Sequence, residues 1–159
     1  MNNYFYITTP IYYVNDKPHI GHAYTTILAD VLTRYNRNIG RKTFFLTGLD
    51  EHGQKVQQAA EENGIDPQEH CNQMAPRFKE LWQKLHISND DFIRTTEDRH
   101  KKVVKDFLQI VMDNGDIYES EYEGLYSVSE ERFITEKEAE SGDFRDIKKL
   151  KEKNYFFKM

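Results

Sequence analysis

The chain has 159 residues and a formal net charge of −5, and 38% of its residues are hydrophobic and 31% charged. This composition is typical of a folded domain, and the length corresponds to one domain or to one domain and part of another. The acidic balance argues against a stand-alone DNA-binding module, and no apolar run approaches the roughly 20 residues that cross a bilayer.

The chain up to Thr47 predicts a β-α-β unit. Tyr4–Thr9 is aromatic and β-branched, which indicates a buried strand that Pro10 ends. From Ile20 to Tyr35 apolar residues recur at steps of three and four, which predicts a helix. Thr43–Thr47 is a second short apolar run. We therefore expect two parallel strands joined by a right-handed crossover.

The alternation of strands and helices continues beyond this unit. A polar helix is predicted over Gln54–Asn63, and Asp66 with Pro67 opens the next helix as N-cap and first helical residue. Phe92–Thr95 indicates a short strand and Glu97–Met112 an amphipathic helix. This order predicts an α/β fold, a Rossmann-like doubly wound parallel sheet that extends to about residue 117.

The character of the chain changes after Ile117. Aromatic and β-branched residues are spaced as in short strands, and a charged stretch, Lys148–Lys153, precedes an aromatic end, Tyr155–Phe157. We expect a separate domain over residues 118–159. Because domains rarely finish on such an apolar segment, we also expect the chain to be part of a longer protein.

The sharpest chemical signal is His19-Ile20-Gly21-His22, which lies at the start of the first predicted helix. Free N–H groups and the helix dipole make such a terminus suited to phosphate. Histidines three residues apart lie on one side of that turn, and Gly21 lets a planar group approach the backbone. The motif therefore suits a nucleotide. One alternative is two surface histidines without a ligand. The other is a pair of metal ligands, but a metal site would need a third ligand, and the usual zinc-binding pair has its histidines four residues apart rather than three.

A second signal, Thr47–Gly53, follows the second predicted strand at its carboxyl end. Ligands of doubly wound sheets bind at that end of the strands. Asp50 has the charge to hold an ammonium group, and Glu51 and His52 are placed to orient it. The alternative is a solvated acidic loop.

Together these segments resemble a known family. The lead Thr9-Pro10-Ile11-Tyr12-Tyr13 and the His-x-Gly-His motif resemble the opening of class I aminoacyl-tRNA synthetases. With Thr47–Gln54 they resemble methionyl-tRNA synthetases in particular, in the zinc-free bacterial-type form. The likeness continues through Asp91–Thr96 and Gly124–Val128 and covers essentially the whole chain. It implies the N-terminal half of a Rossmann-like catalytic domain over residues 1–117 and the beginning of an inserted connective (CP-type) domain over residues 118–159.

The resemblance also implies an activity and a set of site residues. The family joins methionine to ATP with Mg²⁺, which gives methionyl-adenylate and pyrophosphate, and then transfers methionine to its tRNA. The catalytic residues it implies are His19 and His22. Its ATP-binding residues are Pro10, Tyr12, His19, Gly21 and His22, and its methionine-binding residues are Ile11, Tyr13 and Asp50. The signature region comprises Tyr12, Tyr13, Pro18, His19, Ile20, Gly21 and His22.

Two departures from the family pattern qualify these expectations. The second family signature, Lys-Met-Ser-Lys-Ser, is missing, and the final Lys158-Met159 does not stand in for it. We therefore expect the chain alone to be an incomplete, inactive part of the enzyme. Cys71 is the only cysteine, which excludes an internal disulfide and a zinc site with two thiolates. We expect no structural zinc and a reducing, cytoplasmic setting without membrane contact.

The residues alone are also compatible with two other functions. One is a non-catalytic nucleotide-binding half-domain, and the other is a nucleotidylyltransferase of the same superfamily, which shares the His-x-Gly-His start but lacks the Thr47–Gly53 block. Lys17, beside the motif, is interpreted as a solvated turn residue rather than an ATP ligand. The lysines of the charged stretch are interpreted as a solvated face rather than a tRNA groove.

Overall fold

The computed structural model describes residues 3–130, 132–144 and 146–158. Met159, the last residue of the Lys-Met ending, lies outside this range. The chain divides into two compact units, Met1–Lys102 and Val103–Met159. Within the described part of the chain, no helix is both long enough and apolar enough to span a membrane.

The first unit is built on a parallel sheet centred on strand β3, Lys42–Asp50. Strands β1, Tyr4–Thr8, and β2, Tyr12–Tyr13, follow one another along one side of β3. Strand β4, Asp91–Arg94, pairs with the other side. All three pairings are parallel, so the predicted parallel neighbours and the α/β fold class are confirmed.

The helices of this unit begin and end close to where the sequence predicts. Helix α1 covers Ile20–Asn38, α2 covers Gln54–Glu62, and α3 covers Pro67–Lys84. Asp66 caps α3 as predicted, because its side chain accepts the N–H groups of the second and third helical residues. Helix α4, Asp98–Asp113, begins in the first unit and continues into the second.

The core of the first unit joins the carboxyl half of the sheet to α2 and α3. Its buried members are Tyr12, Val14, Leu49, Val56, Cys71, Met74, Ala75, Phe78 and Trp82. Helix α3 therefore supplies more than half of these buried side chains. This core includes Tyr12 of β2 and Leu49 of β3, which are adjacent in sequence to the candidate site residues Tyr13 and Asp50.

The expectation that β1 is buried is wrong. Tyr4 is 65% and Tyr6 63% exposed, whereas Phe5 and Ile7, which alternate with them, are half-buried. Among the described residues β1 pairs with β3 alone, so it is an edge strand with one covered face. Aromatic and β-branched residues predict a strand but not the number of its covered faces.

Helix α1 buries its polar side. Thr33 Oγ1 donates to the Ala29 carbonyl over 2.8 Å, and Asp30 Oδ1 accepts the Ser88 N–H over 2.7 Å, so these buried groups are satisfied. The apolar repeat that predicts the helix is exposed in this structure: Ile20, Tyr24, Ile27, Leu28, Val31, Leu32 and Tyr35. The repeat therefore located the helix correctly without locating the core of this unit.

The second unit contains an antiparallel sheet in the order β6-β5-β7. Its strands are β5, Ile117–Ser127, β6, Arg132–Ile134, and β7, Ile147–Phe157, with a short helix α5, Glu136–Glu140, before β7. The predicted boundary at residue 117 coincides with the start of β5, whereas the compact units meet within α4. The assignment of an inserted domain stays a prediction.

The charged stretch and the aromatic end form one strand, β7, rather than two separate features. Its lysines face glutamates of β5, with Lys149 2.5 Å from Glu123 and Lys151 3.1 Å from Glu121. Such cross-strand pairs support the register of the hairpin. These lysines are exposed, as the interpretation of a solvated face expects, and they are also paired.

Candidate active site at the start of helix α1

The two histidines of the motif close the first turn of α1 on themselves. His19 is the N-cap residue, and its Nδ1 accepts the N–H of Gly21 over 3.1 Å. His22 reaches back, and its Nδ1 accepts the N–H of His19 over 3.1 Å. This is a capping box in which imidazole nitrogens take the acceptor positions that hydroxyl and carboxylate oxygens usually fill.

This arrangement determines which ring nitrogen carries the proton. A nitrogen that accepts a hydrogen bond holds no proton, so each neutral ring has its proton on Nε2. The rings stack with their centroids 3.8 Å apart. Burial lowers the pKa of His22, and the positive charge that His19 can carry lowers it further. The lowered pKa favours the neutral ring of His22, and the Nε2 atoms of both histidines stay outside the cap.

The structure gives a reason for glycine at position 21 that the sequence did not indicate. A Cβ atom at this position would lie 2.9 Å from Cε1 of His19. A larger residue would push the first histidine out of its capping position. The glycine therefore makes room for the ring of His19, besides any room it leaves for a ligand.

Tyr12 packs against His22 and is hydrogen-bonded to helix α1. Its ring is 6% exposed and meets the ring of His22 edge-on at 4.7 Å. Its hydroxyl lies 2.6 Å from Thr25 Oγ1 and 2.9 Å from Thr26 Oγ1, both on α1. These contacts fix the start of α1 to strand β2.

An open cavity of about 410 Å³ lies beside the histidines. It is lined by Ile11, Tyr12, Tyr13, Asn15, Asp16, Lys17, His19 and His22. Five residues of the predicted site are thus brought together: Ile11, Tyr12, Tyr13, His19 and His22. The other predicted site residues are outside this lining: Pro10, Pro18, Ile20, Gly21 and Asp50. Asn15, Asp16 and Lys17 also line the cavity, although the sequence indicated Lys17 only as a solvated turn residue.

Asp50 is the last residue of β3, since the strand runs three residues beyond the predicted end at Thr47. It is half-buried and stands opposite Tyr13 of β2 in the sheet register. Its Oδ1 accepts the N–H of His52 over 3.2 Å. Asp50 therefore lies at the carboxyl edge of the sheet next to a cavity-lining residue, although it does not line the cavity itself.

A network behind Asp50 was missed by the sequence analysis. Glu51 is buried, and its Oε1 lies 2.6 Å from Nε of Arg94 at the end of β4. Thr95 Oγ1 accepts the N–H of Glu51 over 2.9 Å. Parallel pairing of β3 with β4 could have indicated this contact, because Arg94 then ends β4 beside Glu51, the residue that follows β3. Among the described residues, no group of three or more His, Cys, Asp or Glu side chains could hold a metal ion.

The parallel sheet, with a histidine-capped helix and a cavity at the strand ends, defines a Rossmann-like α/β nucleotide-binding fold. A sequence model of the family described as tRNA synthetases class I (M) matches residues 5–143. The chain belongs to this family of class I tRNA synthetases.

Individual relatives agree with this assignment. The chain is 56% identical to the methionine–tRNA ligase of Fusobacterium nucleatum, over 100% of this chain and 26% of that protein. It is 52% identical to the methionine–tRNA ligase of Thermotoga maritima, over 98% of this chain and 26% of that protein. The chain therefore spans about a quarter of the length of these relatives.

A solved structure is similar along nearly the whole chain. Mycobacterium tuberculosis methionyl-tRNA synthetase in complex with methionyl-adenylate superposes with a TM-score of 0.88 at 38% identity. The match covers 97% of this chain and 32% of that one.

Proposed function

We propose that this chain is the N-terminal part of a methionine–tRNA ligase. The observation that carries the proposal is the reciprocal His19–His22 cap, which uses both Nδ1 atoms and leaves both Nε2 atoms for a ligand, on two residues that line a cavity at the carboxyl edge of the sheet. The methionine–tRNA ligases named above support the choice of amino acid. The methionyl-adenylate of the similar structure supports the choice of ATP as the second substrate.

In the proposed reaction, the methionine carboxylate attacks the α-phosphorus of ATP and pyrophosphate leaves. No covalent bond to the protein is needed, so catalysis consists of positioning and of stabilising charge on the phosphate oxygens. His19 and His22 supply Nε2–H donors for these oxygens. Because their Nδ1 atoms are held by the cap, the rings are oriented before the nucleotide binds. Pro10, Tyr12 and Gly21 complete the proposed nucleotide side.

The proposed methionine side is formed by Ile11, Tyr13 and Asp50. Ile11 and Tyr13 line the cavity and offer apolar surface for the thioether side chain. Asp50 supplies a counter-charge for the α-ammonium group, since charge-assisted hydrogen bonds to a carboxylate are the strong ones. Its place opposite Tyr13 supports this division of the site.

The remaining parts of the proposal concern the complete protein. Magnesium accompanies ATP as part of the substrate, the methionine tRNA receives the activated amino acid, and no structural zinc is bound. The protein works in the cytoplasm without DNA or membrane contact. Residues 1–117 belong to the catalytic domain, and residues 118–159 begin the connective domain inserted in it.

The test is methionine-dependent exchange of pyrophosphate into ATP by the full-length protein. Asp50→Ala is expected to lower kcat/KM for methionine at least tenfold, because a hydrogen bond to a charged group contributes about 1.5–3 kcal/mol. Asp98→Asn is the control, because this acid on α4 is exposed and its 3.4 Å ion pair is with the exposed Lys101. Exchange that fails to depend on methionine would overturn the proposal, and ATP binding without exchange would favour a nucleotide-binding half-domain.

A further inference from the structure

We propose that Glu51 and Arg94 act as positioning residues, which hold Asp50 in the orientation that binds the substrate ammonium group. This inference rests on the proposed function and adds a role that the family resemblance did not assign to these two residues. The supporting observation is that β3, β4 and α3 all contact Glu51, the residue that follows Asp50.

The carboxylate of Glu51 is fully enclosed and engaged on both oxygens. Its side chain has 0% exposure, and Oε1 lies 2.6 Å from Nε of Arg94. Oε2 accepts the hydroxyl of Thr96. Glu51 is therefore a buried carboxylate committed to protein partners, and it is outside the cavity lining. Burial of an ion pair in this way costs desolvation free energy, so it is weak evidence for a purely stabilising role.

The N–H of Glu51 and the side chain of His52 both contact Thr95, the residue that follows β4. The N–H of Glu51 donates to Thr95 Oγ1 over 2.9 Å, and Nδ1 of His52 lies 2.9 Å from that hydroxyl. The N–H of His52 donates to Oδ1 of Asp50 over 3.2 Å. The two residues that follow Asp50 are thus hydrogen-bonded to the Asp50 carboxylate and to Thr95, directly after β4.

Arg94 extends this connection to helix α3. Its Nη2 donates to Oδ1 of Asn72 over 2.8 Å, while its Nε holds Glu51. The thiol of Cys71, also on α3, donates to the Glu51 carbonyl over 3.8 Å. Strands β3 and β4 and helix α3 therefore converge on the residue next to Asp50. A displacement of about 1 Å at a reacting group can cost about a hundredfold in rate, so a rigid support here has a direct kinetic value.

The experiment measures exchange kinetics of Glu51→Gln and Arg94→Lys in the full-length protein. We expect each to raise KM for methionine at least tenfold and to leave KM for ATP within twofold. The matched control is Arg99→Gln, which removes an exposed ion pair of the same 2.6 Å length, to Asp91 at the other end of β4. The control is expected to leave both KM values within twofold.

Two further measurements separate positioning from general stability. Glu51→Gln is expected to leave the affinity for a methionine analogue without the α-amino group unchanged, because that analogue does not use Asp50. In an Asp50→Asn background, Glu51→Gln is expected to add less than twofold. Equal losses for ATP, for the analogue, or in the Asp50→Asn background would overturn the inference.

The design also separates this inference from the proposed function. If the unmodified protein shows no methionine-dependent exchange, the proposed function fails and the inference fails with it. If the unmodified protein is active and Glu51→Gln keeps its methionine KM, only the inference fails. If Glu51→Gln does not fold, Arg94→Lys decides the matter, because it keeps the charge and shifts only the geometry of the pair.

Discussion

The backbone N–H of His19 donates to Nδ1 of His22 over 3.1 Å, so the second histidine of the motif caps the helix that begins just after the first. The spacing of three residues is what allows this contact, because the third helical residue reaches back over the N-cap. The motif is therefore a folding element and a chemical one together. Its Nδ1 atoms serve the helix, and its Nε2 atoms remain for a ligand.

This division of roles predicts a pH dependence of stability. Burial, together with the charge of His19, lowers the pKa of His22 below its usual 6.5. The folded chain then binds fewer protons than the unfolded chain, so the free energy of unfolding rises with pH across this window. We expect the contribution of His22 to be complete above about pH 6.5 and to be lost as the pH falls through the lowered pKa.

The measurement is chemical unfolding of the chain between pH 5 and 8, with His22→Asn as the variant. His22→Asn is expected to flatten the pH dependence. His86→Asn is the control, because His86 is an exposed histidine in the same unit. A pH dependence that His22→Asn leaves unchanged would contradict the prediction.

A second prediction compares two adjacent tyrosines. Tyr12→Phe is expected to lower the free energy of unfolding by about 1–3 kcal/mol, since the buried hydroxyl of Thr26 loses its 2.9 Å partner. Tyr13→Phe is the matched control, because Tyr13 is 46% exposed and none of the described residues bonds its hydroxyl. Equal stabilities of the two variants would show that Tyr12 does not tie β2 to α1.

Local sequence signals predicted the elements of the first unit well. Asp66-Pro67 located the start of α3, and the apolar steps after Ile20 located α1. These signals succeed because caps, proline and helical periodicity act within a few residues. The family resemblance then brought Ile11 and Tyr13 into the candidate site, where the structure has them in one cavity with the histidines.

The failures arise where distant segments decide the outcome. Which face of α1 is buried depends on Ser88, more than fifty residues away, whose N–H bonds Asp30. The pairing of Glu51 with Arg94 likewise requires β4 to lie beside β3. The strand β7 was missed because its run of lysines resembles a solvated segment until the glutamates of β5 are placed opposite.

The single cysteine gives a third prediction. Cys71 is 1% exposed, and its pKa is raised to about 11, first by burial and then by the negative charge of Glu51. Because the thiolate is the reactive form, we expect almost no reaction with iodoacetamide at pH 8 while the chain is folded. Full reaction is expected in denaturant, which serves as the internal control. Rapid modification of the folded chain at that pH would contradict the burial of this thiol.

A fourth prediction concerns Gly48, which lies in β3 opposite Ile93 of β4. A Cβ atom at Gly48 would overlap the carbonyl oxygen and Cγ2 of Ile93. The side chain of Ile93 can rotate, but its carbonyl is part of the main chain, so Gly48→Ala must push β4 away from β3. We expect a loss of about 1–3 kcal/mol in the free energy of unfolding. The measurement is denaturant unfolding monitored by the fluorescence of Trp82, the only tryptophan.

Two controls assign this loss to the main chain. Gly40→Ala introduces a methyl group with nothing within 4 Å, so its cost comes only from the positive φ of +82°. Ile93→Ala in the Gly48→Ala background removes Cγ2 but leaves the carbonyl, and we expect it not to restore stability. Restoration by that second change would mean that the Ile93 side chain, and not the spacing of β3 and β4, makes glycine necessary at this position.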